Sequence, residues 1–123
     1  LSQLFERQDW RILADRMLAG ALDRASYWPS ATHWAGMLLW RTEPFHEVVI
    51  TAPNVEVVAS TQHALQAHFR PQTLYAGGAS ENIPLLRDRQ LGELAIFVCE
   101  DGRCQLPVAS VEKATGLLTK AAH

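Results

Sequence analysis

Two kinds of hydrophobic pattern divide the chain near Pro44. Before Pro44, apolar residues recur every three or four positions, which is typical of amphipathic helices. We expect a first helix from Trp10, capped by Asp9, and a second helix capped by Ser30. Residues 1–43 also hold all the tryptophans of the chain: Trp10, Trp28, Trp34 and Trp40. This helical pair is too apolar to stand alone, so we expect it to pack on a further surface.

Residues 44–123 show short β-rich runs that alternate with helical segments. His46–Thr51 is an almost continuous β-branched run, as in strands that are buried on both faces. A helix to about Phe69 and a second strand at 73–76 follow it. A strand, a helix and a strand within about 30 residues form a βαβ unit, whose strands are parallel with a right-handed crossover. Ser110 is the expected cap of a last helix.

An Asp-Gly pair at residues 101–102 predicts a hairpin of two strands, 94–99 and 104–108. Such a pair between β-rich runs is typical of a type I′ turn, because both turn residues need a positive φ. The fold class that follows is α/β. We expect a helical segment over residues 1–43, and then a small α/β domain over 44–123. In that domain a mixed sheet, made of the βαβ unit and the hairpin, precedes a C-terminal helix.

The predicted turn places the only two cysteines, Cys99 and Cys104, opposite one another as a non-hydrogen-bonded pair. Three interpretations of this pair are open. A structural pair, reduced or bonded, needs only the hairpin geometry. A redox site needs a stabilised thiolate, for which Arg103 is the candidate cation. Half of a zinc site needs partners, and the sequence contains no second Cys-x-x-Cys.

The loop of residues 77–89, after the second strand, is another candidate site. Parallel α/β sheets bind ligands beyond the carboxyl ends of their strands. Arg87 and Arg89 are therefore candidates to hold an anion in this loop. The alternative is a surface loop with ion-paired arginines. The sequence contains no signature of nucleotide binding or serine hydrolysis, and it identifies no catalytic residue.

Composition excludes several partner classes. The chain is 48% hydrophobic and 20% charged, with a formal net charge of −2, as in an ordinary globular domain. We expect no nucleic-acid partner, because no basic patch is present, and no membrane partner, because the longest apolar stretch is too short to cross a bilayer. His63 and His68 are five residues apart, whereas a helical metal pair needs three or four. We therefore expect no metal and no cofactor. Nothing resembles a signal peptide, so we expect a cytoplasmic location.

Three stretches carry a family resemblance, in order along the chain: EVVIT after the helical pair, NIPLLRDR in the loop, and AIFVCEDGRCQLPV before the last helix. The most distinctive feature is a Cys-x4-Cys followed two residues later by Leu-Pro. With these stretches, essentially the whole chain resembles the C-terminal region of the YyaL-like proteins. That family is also called the spermatogenesis-associated protein 20 or thioredoxin-domain-containing family.

The resemblance implies a much longer protein. In this family a thioredoxin-like domain precedes an (α/α) barrel similar to N-acylglucosamine 2-epimerases and six-hairpin glycosidases. Residues 1–43 would be the last helices of the barrel, and residues 44–123 an accessory α/β domain whose partner is the rest of its own polypeptide. Family members often carry glycine after the first strand, but this chain has Ala52 and Pro53. That difference counts against a ligand-binding loop there.

The expected function is therefore architectural, and two alternatives remain open. In one, the loop of residues 77–89 lines a site for a small, carbohydrate-like molecule on the barrel. In the other, Cys99 and Cys104 form a redox relay for the thioredoxin-like domain. The family has no assigned reaction, so the resemblance indicates architecture rather than activity.

Overall fold

The computed structural model describes residues 1–23, 28–78, 82–89, 92–100 and 102–120. The chain divides into two compact units, Leu1–Glu43 and Pro44–His123. Within the described residues, the first unit is helical and the second combines two helices with a four-stranded mixed sheet. The predicted α/β class, the mixed sheet and the C-terminal helix are confirmed.

The first unit consists of helices α1 (Gln8–Leu22) and α2 (Trp28–Thr42). An ion pair joins the two helices, with Arg41 Nη2 at 2.7 Å from Asp15 Oδ2. Leu18 is the buried residue of α1. Most of the apolar stripe that identifies this helix in the sequence therefore lies at the surface of the unit.

Both helices begin earlier than their predicted caps. Asp9 lies inside the first turn of α1, where its carboxylate accepts hydrogen bonds of 2.8 and 2.6 Å from Arg7. These bonds hold the pKa of Asp9 down at about 2. Helix α2 begins two residues before Ser30, so Ser30 is not its cap. Proline has no N–H to donate, and the first N–H groups of a helix make no hydrogen bond within the helix, so Pro29 is compatible with the first turn of α2.

The second unit is built on four strands: β1 (His46–Thr51), β2 (Thr73–Gly77), β3 (Ala95–Glu100) and β4 (Arg103–Cys104). Their order in the sheet is β2-β1-β3-β4. Helix α3 (Val55–Gln66) connects β1 to β2, which are parallel neighbours, so the βαβ unit is confirmed. Strand β3 is antiparallel to both β1 and β4. Helix α4 (Val111–Lys120) follows the sheet.

Short polar caps set the start of both helices in this unit. Asn54 Oδ1 accepts a hydrogen bond from the amide of Val57 at 2.9 Å, at the start of α3. Ser110 Oγ accepts one from the amide of Lys113 at 3.4 Å, so the predicted cap of α4 is confirmed. Helix α3 ends three residues before its predicted end at Phe69. The side chain of Phe69 is exposed, so packing gives the helix no reason to continue.

The main core lies on one face of the sheet. Val48 and Ile50 of β1 pack beside Ile96 and Val98 of β3, and all four side chains are buried. Helices α3 and α4 cover this face with the other members of the cluster: Val58, Leu65, Ala114 and Leu118. Side chains alternate between the faces of a strand, so these residues define the helix-covered face.

The opposite face of the sheet is also buried, and a loop covers it. Val49 and Thr51 of β1 point to this side and are buried. Among its described residues, the loop after β2 contains the 3-10 turn Pro84–Leu86, whose two leucines are buried. The same loop places the Arg89 guanidinium 5.5 Å from the ring centre of Phe97, which lies on this face of β3. We call this side the loop-covered face.

We predict that Gly77→Ala lowers the free energy of unfolding by about 1–3 kcal/mol, the usual cost of overpacking. A Cβ atom at Gly77 would overlap Cγ1 of Val58 on α3. A valine side chain has little rotamer freedom with which to move away. Urea unfolding followed by circular dichroism measures the effect.

Two further variants test that explanation. Gly116→Ala lies in open space on α4 and should raise the free energy of unfolding by about 0.5–1 kcal/mol, because glycine weakens a helix interior. In a Val58→Ala background the cost of Gly77→Ala should fall, since the overlapping atom is gone. An unchanged cost in that background would show that the overlap is not the cause.

Candidate functional site

The β3–β4 hairpin has the register that the Asp-Gly turn predicts. Cys99 pairs with Cys104 directly across the two strands. Gly102 has a φ of 75°, in the left-handed region that favours glycine. Asp101 lies outside the described residues. The local turn chemistry is therefore sufficient to bring the two cysteines together.

The register shifts by one residue beyond the cysteine pair. The amide of Gln105 donates to the carbonyl oxygen of Val98 at 3.0 Å, in register with the cysteines, whereas Ile96 and Val108 exchange hydrogen bonds of 2.8 and 3.0 Å. An uninterrupted ladder would pair Ile96 with Pro107, so this strand holds one extra residue, a β-bulge. Proline has no N–H to donate, and edge strands accept it at such bulges. The strand predicted up to Val108 is therefore interrupted.

The two cysteines form a disulfide whose halves differ in exposure. The Cys99 and Cys104 Cα atoms are 3.9 Å apart, and the sulfur atoms are bonded. Cys99 is 1% exposed, whereas Cys104 lies exposed on the edge strand. Cys99 is two residues from Phe97 along β3, so both side chains lie on the loop-covered face. The disulfide thus joins a buried sulfur to a surface residue.

Arg89 is the cation beside this disulfide. Its Nη1 atom lies 3.4 Å from Cys99 Sγ, and its guanidinium lies over the ring of Phe97. The preceding residue, Asp88, has a φ of 59°, a left-handed conformation that aspartate tolerates better than most residues. The loop therefore turns sharply just before Arg89. The contact with Phe97 then fixes the guanidinium against the buried sulfur.

The two arginines of the predicted anion site lie in different surroundings, and their joint binding of an anion stays a prediction. Arg89 lies at the disulfide. Arg87 is exposed, and its side chain forms no hydrogen bond or ion pair with the described residues, although its amide donates to the carbonyl oxygen of Pro84. Residues 79–81 of the predicted ligand loop lie outside the described part of the chain. A contribution of this loop to a carbohydrate site stays a prediction.

The cation that contacts Cys99 Sγ is Arg89 and not the expected Arg103. Arg103 pairs with Glu100, one position along the ladder from the cysteine pair. Neighbouring residues of a strand point to opposite faces, so Arg103 lies on the helix-covered side and the disulfide on the other. The sequence could not identify Arg89 instead, because the loop that brings it back to β3 follows no periodic pattern.

A buried acidic residue faces Cys99 from the neighbouring strand. Glu47 is 7% exposed and lies directly opposite Cys99 in the β1–β3 register. Directly opposed residues on neighbouring strands share one face, with their Cβ atoms about 4.5–5.5 Å apart. A cation from the loop and an acidic residue from β1 are therefore both neighbours of the buried half of the disulfide.

The helix-covered side of the same hairpin has a polar pocket of about 560 Å³. Its polar lining residues are His46, Glu100, Arg103 and Gln105. The His46 side chain is 9% exposed, and its Nε2 atom lies 3.9 Å from Glu100 Oε2. Nε2 has no hydrogen-bond partner among the described residues. No sequence pattern indicates this pocket, because its members come together only through the strand register.

No family model, curated protein or solved structure matches the chain. Among the described residues, no cluster of three or more histidine, cysteine, aspartate or glutamate side chains is arranged to bind a metal ion. The described helices include none with the length and apolar character needed to cross a membrane.

We predict that His46→Leu leaves the free energy of unfolding unchanged or raises it by up to about 1 kcal/mol. The substitution removes a buried nitrogen that has no hydrogen-bond partner among the described residues and puts an apolar side chain of similar size in its place. Urea unfolding at neutral pH measures the effect. Ile50→Val, which should cost about 0.5–1.5 kcal/mol, shows that the assay detects a core change. A large decrease in the free energy of unfolding with His46→Leu would show that the imidazole makes a stabilising hydrogen bond.

We predict that reduction of the disulfide lowers the free energy of unfolding by about 2 kcal/mol, because so short a closed loop constrains the unfolded chain only modestly. The reduced chain should keep its circular dichroism spectrum in tris(2-carboxyethyl)phosphine. The Cys99→Ala/Cys104→Ala double variant is the control, and its stability should not respond to the reductant. Global unfolding on reduction would show that the fold depends on the bond.

Proposed function

We propose that this chain is the C-terminal accessory domain of a multidomain protein with a thioredoxin-like domain and an (α/α) barrel. The resemblance of three sequence stretches to the YyaL-like proteins supports this assignment. In this view residues 1–43 supply helices to a barrel similar to N-acylglucosamine 2-epimerases and six-hairpin glycosidases, and residues 44–123 form an α/β appendage. The function of the chain is then architectural.

The apolar surface of α1 and α2 is the observation that supports this function best. Leu13 and Met17 are 56% and 55% exposed, and they share one face of α1 with Trp10. Other large apolar side chains on the two helices are also exposed: Ile12, Leu22, Leu38, Leu39 and Trp40. Exposed apolar patches of this kind mark sites of protein contact. Further helices of the same polypeptide are the occupants that we propose.

A cytoplasmic location is part of this proposal, and it bears on the disulfide. Glutathione and thioredoxin keep most cytosolic thiols reduced, and the disulfides found there are usually transient, catalytic or redox-sensing. A purely structural role for the bond between Cys99 and Cys104 therefore fits this compartment poorly.

We predict that Leu13→Gln/Met17→Gln has opposite consequences in two settings. In the whole protein encoded by the reading frame, it should lower the free energy of unfolding by about 2–4 kcal/mol, since both side chains would be buried there. In the isolated 123-residue chain it should have little effect, because the side chains are already exposed. Thermal and urea unfolding of both proteins measure the difference.

Arg16→Gln provides the matched control, since Arg16 is exposed on the same helix and its loss should be neutral in both proteins. If the double variant changes the free energy of unfolding equally in the whole protein and in the isolated chain, then Leu13 and Met17 are not buried against a barrel. A reading frame that encodes no thioredoxin-like domain would also refute the assignment.

A further inference from the structure

We propose that the Cys99–Cys104 disulfide is a thiol–disulfide exchange site for dithiols, in which Arg89 stabilises Cys99 as the leaving thiolate. This inference stands on the geometry of the hairpin and the loop. It holds whether or not the chain belongs to a longer protein. Three features carry it: the unequal exposure of the two cysteines, the guanidinium against the buried sulfur, and the fixed position of that guanidinium.

The unequal exposure decides which sulfur is attacked. Exchange requires a thiolate to approach one sulfur of the disulfide, while the other sulfur leaves. Cys104 is exposed on the edge strand, whereas Cys99 is buried beneath the loop. An incoming thiolate therefore reaches Cys104, and Cys99 must be the leaving group.

The leaving sulfur has a cation in place before any reaction begins. Arg89 Nη1 is 3.4 Å from Cys99 Sγ, close enough to stabilise negative charge that develops on that sulfur. Glu47, which faces the same position from β1, opposes such charge. Because Phe97 holds the guanidinium, stabilisation by Arg89 requires no rearrangement when the bond breaks. Arg89 is thus a group that touches the reacting atoms.

The exchange is balanced in atoms and electrons. One thiolate of the dithiol attacks Cys104 Sγ, a mixed disulfide forms, and the electron pair of the broken bond leaves on Cys99 Sγ. The second thiolate of the dithiol then attacks the first sulfur of the same dithiol, which is bonded to Cys104 Sγ in the mixed disulfide. This step closes the disulfide of the dithiol and releases Cys104 as a thiolate. The dithiol is oxidised to a disulfide, the protein disulfide is reduced by two electrons, and the two protons of the dithiol pass to the released cysteines.

Reduction by dithiothreitol tests the role of Arg89. We expect Arg89→Leu to slow reduction about tenfold, because the leaving thiolate loses its cation. Arg89→Lys should stay within about threefold of the parent rate, since it keeps the charge. Arg87→Leu, two residues away, should leave the rate unchanged. Circular dichroism confirms that each variant is folded. Equal rates for the parent and Arg89→Leu would overturn the inference.

The direction of attack is tested on the unmodified protein. A brief reaction with glutathione is stopped with iodoacetamide, and trypsin then cleaves after Arg103, so that Cys99 and Cys104 fall in separate peptides. Mass spectrometry should find glutathione on Cys104 and the alkyl group on Cys99. Glutathione on Cys99 would overturn the inference, as would an equal distribution over both cysteines.

Discussion

The burial of β1 is the constraint on which the rest of the α/β unit depends. All six of its residues are buried, and its backbone is paired on both sides, by β2 and by β3. Its alternate side chains enter two different layers, one under the helices and one under the loop after β2. Because the side chains on both faces of this strand are buried, the chain must supply a cover for each face. The helices α3 and α4 cover one face, and the loop that places Arg89 against Phe97 and Cys99 lies on the other.

The first two residues of β1 lie in chemically different environments, one on each face of the sheet. His46 faces the polar pocket with Glu100, while Glu47 faces the disulfide through Cys99. The two environments lie on opposite sides of the same hairpin, although the residues that form them are neighbours in sequence. Register alone separates them, because a single step along a strand reverses the direction of the side chain.

The sequence predicts well those features that depend on neighbouring residues. The Asp-Gly turn fixes the pairing of Cys99 with Cys104, and the strand–helix–strand pattern predicts the parallel pair β1 and β2. Prediction from the sequence fails for contacts that a distant segment of the chain determines. Arg89 reaches Cys99 through a loop without periodicity, and the pocket around His46 depends on the register of three strands. The cap predicted at Asp9 fails for a local reason, since Arg7 binds its carboxylate.

The bulge in the hairpin has a consequence for how this chain behaves among copies of itself. A long regular edge strand invites another chain to add to the sheet, which leads to aggregation. Here β4 is two residues long, and the bulge with Pro107 follows at once, so that edge offers only a short and irregular row of hydrogen-bonding groups. The irregularity therefore protects the sheet against growth from this side, while Cys104 stays exposed on β4.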